Sequence, residues 1–209
     1  MSRHAIPRFT LAFGLLVLCL SSLWSCEMLD DHDDDDSPKA PKATVTSGDA
    51  EVLATLVAID DHEIAAAKKA QDKAKDTAVR SYADMLRTDH ERNLEDTRAL
   101  ADRIGVDPHR TAKVIEMRKK NDNERETLAD RNGAAYDEAF VKAMVTGHQE
   151  VLDLIDDQLL AKAQTPALKD HLKATRKHIQ HHLERAKEIR DDLDGMEGTH
   201  DADDTHDVK

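Results

Sequence analysis

Apolar residues recur at spacings of three and four along most of the chain between residues 47 and 194, which is the pattern of amphipathic helices. Glycine and proline are few and mark the breaks between these stretches. The pattern predicts five helices: one that begins after Ser47, a second over 77–104, a third over 109–131, a fourth that includes 136–159, and a fifth that begins at the Thr165-Pro166 break.

Four of these helices carry a continuous apolar stripe, whereas the 109–131 segment is mostly charged with sparse apolar positions. Long amphipathic helices with short connections pack as antiparallel neighbours. We therefore predict an all-α fold in which the first, second, fourth and fifth helices form an antiparallel four-helix bundle. The charged segment is expected to lie against the bundle as a crossover helix, with Asp107 as its cap and Pro108 in its first turn.

The first 25 residues have the organisation of an export signal. Arg3 and Arg8 precede an apolar run over residues 9–20, which is too short to span a membrane. The following Leu-x-Ser-Cys resembles a bacterial lipobox, in which Cys26 becomes the lipidated first residue of the mature chain. This predicts a protein of the bacterial cell envelope that is anchored to a membrane by lipid and faces the periplasm. The alternative is ordinary cleavage beside a stray cysteine, which would give a secreted soluble protein.

Two charged segments flank the predicted helices. Residues 26–46 contain an aspartate-rich run followed by two prolines, and this combination favours an extended, disordered tether. Residues 195–209 are acidic, include His200 and His206, and are predicted to be a disordered tail. The predicted bundle therefore occupies residues 47–194.

Composition and missing motifs argue against several functions. The chain has a formal charge of −13 and only 3% aromatic residues, so it would repel phosphate backbones and offers few rings for stacking on bases. Nucleic-acid binding is therefore not expected. The sequence contains neither a glycine-rich phosphate loop nor a Gly-x-Ser-x-Gly motif, and it favours no enzymatic reaction. It identifies no protein partner.

Four ionisable residues fall on or beside the predicted buried stripes, one on each helix of the bundle. They are Glu63, His90, His148 and His171. Imidazole nitrogens and carboxylate oxygens are common ligands of zinc, copper and iron, and helical bundles build metal sites from inward groups on facing helices. The same residues could instead satisfy one another as buried hydrogen bonds and ion pairs, with Glu63 accepting from a histidine or from Arg87. The sequence leaves both interpretations open.

Helix register separates the members of this group. Counted from a first turn near residue 73, Glu63 faces about residue 84, and His90 lies one to two turns deeper. Counted from the Thr165 turn, His148 faces residues near 180 rather than His171. A second and weaker candidate is the pair His178 and His182, whose spacing of one turn lets two imidazoles share a metal. The alternative for that pair is a solvated charged face.

Spaced motifs on four of the predicted helices form a set. They are Glu63-Ile64, Tyr82-Ala83-x-Met85-x-x-x-Asp89-His90, Tyr136-Asp137-x-x-Phe140-x-x-x-Met144-x-x-x-His148 and Pro166-x-Leu168-x-x-His171-Leu172. Together they resemble a ferritin-like bacterial family, domain of unknown function 4142, over roughly residues 49–191. The resemblance implies a ferritin-like bundle, commonly found in exported or envelope proteins, and no established activity.

The usual ferritin-like di-iron pattern, Glu-x-x-His on two helices, is not found on the predicted bundle. The residues three positions before His90, His148 and His171 are Arg87, Val145 and Leu168. A di-iron oxidase is therefore not predicted. Two functions remain: a lipid-anchored helical bundle with a non-catalytic envelope or stress-related role, and a periplasmic metal-binding or redox protein.

Overall fold

A computed structural model describes residues 47–109 and 111–200, with side chains up to residue 196. Within these residues every regular element is helical, which confirms the predicted all-α class. The elements are α1 (Ser47–Lys73), α2 (Thr77–Ile104), α3 (Ala112–Ala129), α4 (Ala134–Leu154), a π-helical turn (Ile155–Leu159), α5 (Leu160–Lys162) and α6 (Pro166–His200). No helix in this part of the chain is long and apolar enough to span a membrane.

The ends of α2 show how local sequence sets the helix boundaries. The side chain of Asp76 accepts hydrogen bonds from two backbone N–H groups of the first turn, and Gly105 ends the helix with a φ of 68°. This left-handed conformation carries little penalty for glycine. The predicted cap at Asp107 is wrong, because residues 106–109 are not helical and the hydroxyl of Thr111 caps α3 instead. Val106, the residue after the glycine, is buried against the core.

The predicted terminal segments fall mostly outside the described residues. This applies to the signal peptide over 1–25, to Cys26 and the tether over 26–46, and to residues 201–209 of the tail. Residues 195–200, which were predicted to belong to the disordered tail, are helical, because α6 continues through Gly195 to His200.

The four long helices pack in a ring. α1 packs along α2, α2 along α6, α6 along α4, and α4 also contacts α1. α3 lies against α1 and α4, and only Val114 and Leu128 of its residues are buried. The described chain is therefore a helical bundle with one charged helix on its outside.

Polar contacts at the surface hold α3 in place. Arg118 pairs with Asp61 of α1 at 3.0 Å, and Lys120 pairs with Glu150 of α4 at 2.6 Å. Ion pairs that are this exposed contribute about 0–1 kcal/mol each. With little buried apolar surface as well, α3 is attached weakly compared with the four long helices.

Two buried carboxylates fix the turns that set the helix register. Asp137 of α4 accepts from the backbone N–H groups of Lys75 and Asp76 at 3.0 and 2.8 Å, in the turn between α1 and α2. Asp49 of α1 accepts from the hydroxyl of Thr165 at 2.5 Å, just before α6. The two ends of the bundle are thus tied by side chains from other helices, which fixes the relative heights of residues on neighbouring helices.

A layer of buried polar residues separates the two largest apolar clusters of the core. One apolar cluster lies around Tyr82 and Phe140, and the other lies around Leu53 and Leu172. With the π-helical turn counted as part of α4, each of the four long helices has residues in both clusters. On each helix, buried polar side chains lie between the residues of one cluster and those of the other. We call the following set the polar layer: Asp60, Glu63, His90, Asn93, His148, Thr175 and His182. Buried polar groups are costly unless they are paired or bind a ligand, so this layer is the candidate site.

Candidate metal centre

Three histidine rings from three helices meet in the polar layer. His90 on α2, His148 on α4 and His182 on α6 are each only 1–2% exposed. Their ring centroids are 5.2–6.2 Å apart, and one nitrogen from each ring lies within 4.8 Å of the other two. Since metal–imidazole bonds are about 2.0–2.1 Å long, small ring rotations would bring all three nitrogens onto one ion.

The other nitrogen of each ring already has a hydrogen-bond partner. The contacts are His90 Nδ1 with Asp60 Oδ1 at 2.9 Å, His148 Nδ1 with the carbonyl oxygen of Met144 at 2.8 Å, and His182 Nε2 with Asp89 Oδ2 at 3.0 Å. Each partner is a carboxylate or carbonyl oxygen, so the bonded nitrogen carries the proton in the neutral ring and the opposite nitrogen keeps its lone pair. Metal-binding histidines are held by contacts of this kind.

One nitrogen of each ring has no hydrogen-bond partner. Among the described residues, the buried polar atoms without a hydrogen bond include His90 Nε2, His148 Nε2, His182 Nδ1 and Glu63 Oε2. A buried polar atom left in this state costs about 1–3 kcal/mol. Arg87, the partner considered for Glu63, instead bonds Asp84 and Glu91. Mutual hydrogen bonding therefore does not account for these four atoms.

Glu63 lies beside the three rings. Its side chain is 3% exposed, but it is not among the groups whose ligand atoms all lie within 4.8 Å of one another. Burial acts to raise the pKa of Glu63, but positive charge on the neighbouring histidines, of which His90 holds its proton most readily, lowers it overall below its ordinary value. The ionised carboxylate places a negative charge next to the rings, which favours a cation there.

The three histidines differ in how readily they take up a proton. Burial lowers the pKa of His148, and burial with the charge of His90 lowers the pKa of His182 to about 3. Both rings are therefore neutral at neutral pH, as a metal ligand must be. Burial acts in the same direction on His90, but its hydrogen bond to Asp60 and the charge of Glu63 raise the pKa of His90 overall.

A buried hydrogen-bond chain orients His90. Asn93 donates from Nδ2 to both carboxylate oxygens of Asp60, at 3.1 and 2.9 Å. The hydroxyl of Thr175 donates to Asn93 Oδ1 at 2.8 Å. Residues from α1, α2 and α6 thus fix one imidazole, which is the support that a preorganised binding site needs.

Replacing Asp60 by alanine is expected to weaken metal binding by about 10–100-fold, because His90 loses the carboxylate that orients it. The neighbouring Asp61→Ala is the matched control, since Asp61 is on the same helix but pairs at the surface with Arg118. Competition with a chromophoric chelator measures both affinities. Equal affinities for the Asp60 and Asp61 variants would contradict the role assigned to Asp60.

The structure places three of the four primary sequence candidates, Glu63, His90 and His148, in the polar layer. His171 is half-buried, and its Nε2 lies 2.8 Å from the hydroxyl of Thr97. It lies eleven residues before His182 on α6, which is about 16 Å along a helix. This separation explains why His171 is not part of the group.

His182, a weaker candidate from the sequence, occupies the position opposite His148. The predicted register had placed residues near 180 there. Its proposed partner His178 is exposed. The pair therefore does not act as a unit: His182 joins the cluster, and His178 faces outward.

Two supporting residues, Asp60 and Asn93, were not identified from the sequence. The pairing of Asp89 with His182 was not identified either. The turn between α1 and α2 is centred on residues 74–76, slightly later than residue 73. Residues whose numbers sum to about 150 therefore face each other across these helices, and Asp60 faces His90. The combination of a buried stripe and a correctly placed turn is the signal that identifies Asp60.

Comparisons with known proteins give a family and no activity. A search of curated proteins and a search of solved structures each found no match. The family model described as "Domain of unknown function (DUF4142)" matches residues 35–189, which is about three quarters of the chain. The motifs on the four long helices had indicated the same family, and the chain belongs to it.

Proposed function

We propose that this protein binds one divalent transition-metal ion in the polar layer, through His90, His148 and His182. The observation that supports this most directly is that three buried rings lie within ligand distance of one another, and each has one nitrogen without a hydrogen-bond partner and the other bonded to an oxygen. Imidazole suits zinc, copper and iron, and affinity among divalent ions generally peaks at copper. Three protein ligands leave a coordination position open, and Glu63 supplies negative charge beside it.

The proposed site holds one ion, unlike a di-iron centre. Di-iron bundles surround their metals with several carboxylates. Here Glu63 is the carboxylate without a partner in the polar layer, while Asp60 and Asp89 each accept from a histidine. The proposal includes a bundle of the ferritin-like type with α3 as the additional helix, which the ring of four long helices supports.

Titration of the purified full chain with Co²⁺ or Zn²⁺ tests the metal site. We expect one ion per chain, with the visible absorption of nitrogen-coordinated Co²⁺, and loss of both in His148→Ala. His178→Ala is the control because His178 is an exposed histidine outside the cluster. A wild-type protein that binds no ion, or binds it equally well after loss of His148, would exclude the site.

We further propose that the mature protein begins at a lipidated Cys26 and is anchored in the cell envelope, facing the periplasm. The basic and apolar segments before the Leu-x-Ser-Cys sequence support this. Wild-type protein expressed in bacteria is expected to partition into the detergent phase, and Cys26→Ser into the aqueous phase, because acyl chains supply the membrane affinity. Recovery of both in the aqueous phase would exclude the anchor.

A further inference from the structure

A groove between α1, α3 and α4 reaches the polar layer from the outside. Its volume is about 660 Å³. Glu63 lines it from α1, and Gly147, the residue before His148, lines it from α4. Because Glu63 is 3% exposed and its Oε2 has no hydrogen bond, the groove leads to an unpartnered buried carboxylate beside the three rings.

Negative charge predominates along this groove. Its lining includes six acidic residues, Glu63, Glu116, Glu124, Glu150, Asp153 and Asp157, and two lysines, Lys113 and Lys120. Lys120 is paired with Glu150. Burial raises the pKa of Glu124, and the charge of Glu63 raises it further. A concave surface of this kind concentrates cations and repels anions.

The wall formed by α3 is the part of the groove that can move at least cost. α3 buries only Val114 and Leu128, and its other contacts with α1 and α4 are mainly polar pairs that are exposed or partly buried. The four long helices share the core and position the rings. Outward movement of α3 would therefore widen the groove without disturbing the histidine cluster.

We propose that this groove is the passage through which hydrated divalent cations reach and leave the metal centre, with Glu63 as the last protein group before the histidines. This inference rests on the proposed metal site and adds that the site exchanges its ion with solvent. The protein would then take up and release metal, and its ligand is a free aqueous cation rather than an anionic or apolar molecule.

Gly147→Leu narrows the groove while leaving the fold intact. A Cβ at Gly147 meets no atom within 4 Å, and leucine favours a helix interior over glycine. We expect loading of Co²⁺, followed by stopped-flow absorbance, to slow about ten-fold, with the final stoichiometry and spectrum unchanged. Gly147→Ala is the matched control and should load within about two-fold of the wild-type rate.

Glu116→Gln combined with Glu124→Gln tests the charge without changing the shape. Because electrostatic steering changes association rates by about 10–10³-fold, we expect roughly ten-fold slower loading and a weaker dependence on salt. The control is Glu95→Gln, an exposed residue of α2 that does not line the groove.

The outcomes separate the two proposals. Absence of Co²⁺ binding by the wild-type chain would overturn the metal site itself. Stoichiometric binding, with wild-type loading rates in both the Gly147→Leu and the double glutamine variants, would leave the metal site in place and overturn the passage. Slower loading in both variants, at unchanged final stoichiometry, is the result expected from the passage.

Discussion

Replacing His182 by alanine is expected to weaken metal binding by more than about 100-fold, because even residues that support a metal ligand contribute about 10–100-fold. His182 belongs to the cluster of three buried rings, and its Nδ1 has no hydrogen-bond partner. The remaining two imidazoles lie on α2 and α4 and would hold an ion with one protein bond fewer. The ring of His182 is also neutral at neutral pH, so no proton has to leave it before metal binds.

His171→Ala is the matched control, because it removes a histidine from the same helix. Nε2 of His171 is bonded to the hydroxyl of Thr97, away from the cluster, so we expect the affinity to stay within about two-fold of wild type. Competition with a chromophoric chelator at fixed pH measures both variants. Equal losses for the two variants, or a loss only for His171→Ala, would show that the ion is bound elsewhere.

The comparison of these two histidines shows which part of the site the sequence determines. The apolar stripe identifies the side of a helix that faces the core, and by that criterion His171 and His182 are both acceptable. The height of each residue in the bundle depends on where the turns lie. Counting from the Thr165 turn placed residues near 180 opposite His148, and the structure has His182 there.

Between α1 and α2 the predicted register was wrong, because the turn was placed slightly too early. Placing the turn at residue 73 rather than at 74–76 moved the residue facing His90 from Asp60 to a position about three residues earlier in α1, farther from the turn. Asp60 follows Ile59 on the buried side of α1 and is 1% exposed. An aspartate in a highly charged chain is usually solvated, and only its contact with His90 distinguishes it. Pairwise contacts of this kind depend on the packed structure.

More of the fold than of the site could be predicted from the sequence, for a physical reason. Helix class and most boundaries follow from apolar spacing and from local signals such as Asp76 and Gly105, which act within a few residues. The cap predicted at Asp107 was wrong because two cap signals, Asp107 and Thr111, lie close together. Burial of Val106 between the helices accompanies the later start of α3, and that burial is a tertiary contact.

Metal binding is expected to raise the thermal unfolding midpoint by roughly 8–16 °C when free Zn²⁺ is about 1,000 times its dissociation constant. At that ratio a ligand that binds only the folded state adds about 4 kcal/mol to the free energy of unfolding. Each kcal/mol shifts the midpoint of a domain of this size by about 2–4 °C. The physical reason is that unpartnered nitrogens in a closed core destabilise the metal-free fold, and a bound ion would remove this cost by coordinating them.

Circular dichroism melts of the wild type, His182→Ala and His171→Ala, with buffered Zn²⁺ and with Mg²⁺, test this expectation. The wild type and His171→Ala should shift with Zn²⁺, and no variant should shift with Mg²⁺, which prefers oxygen ligands. A shift of equal size in His182→Ala would place the stabilising ion outside the polar layer. If the wild type melts at the same temperature with and without saturating Zn²⁺, the unpartnered nitrogens do not bind zinc and the expectation is wrong.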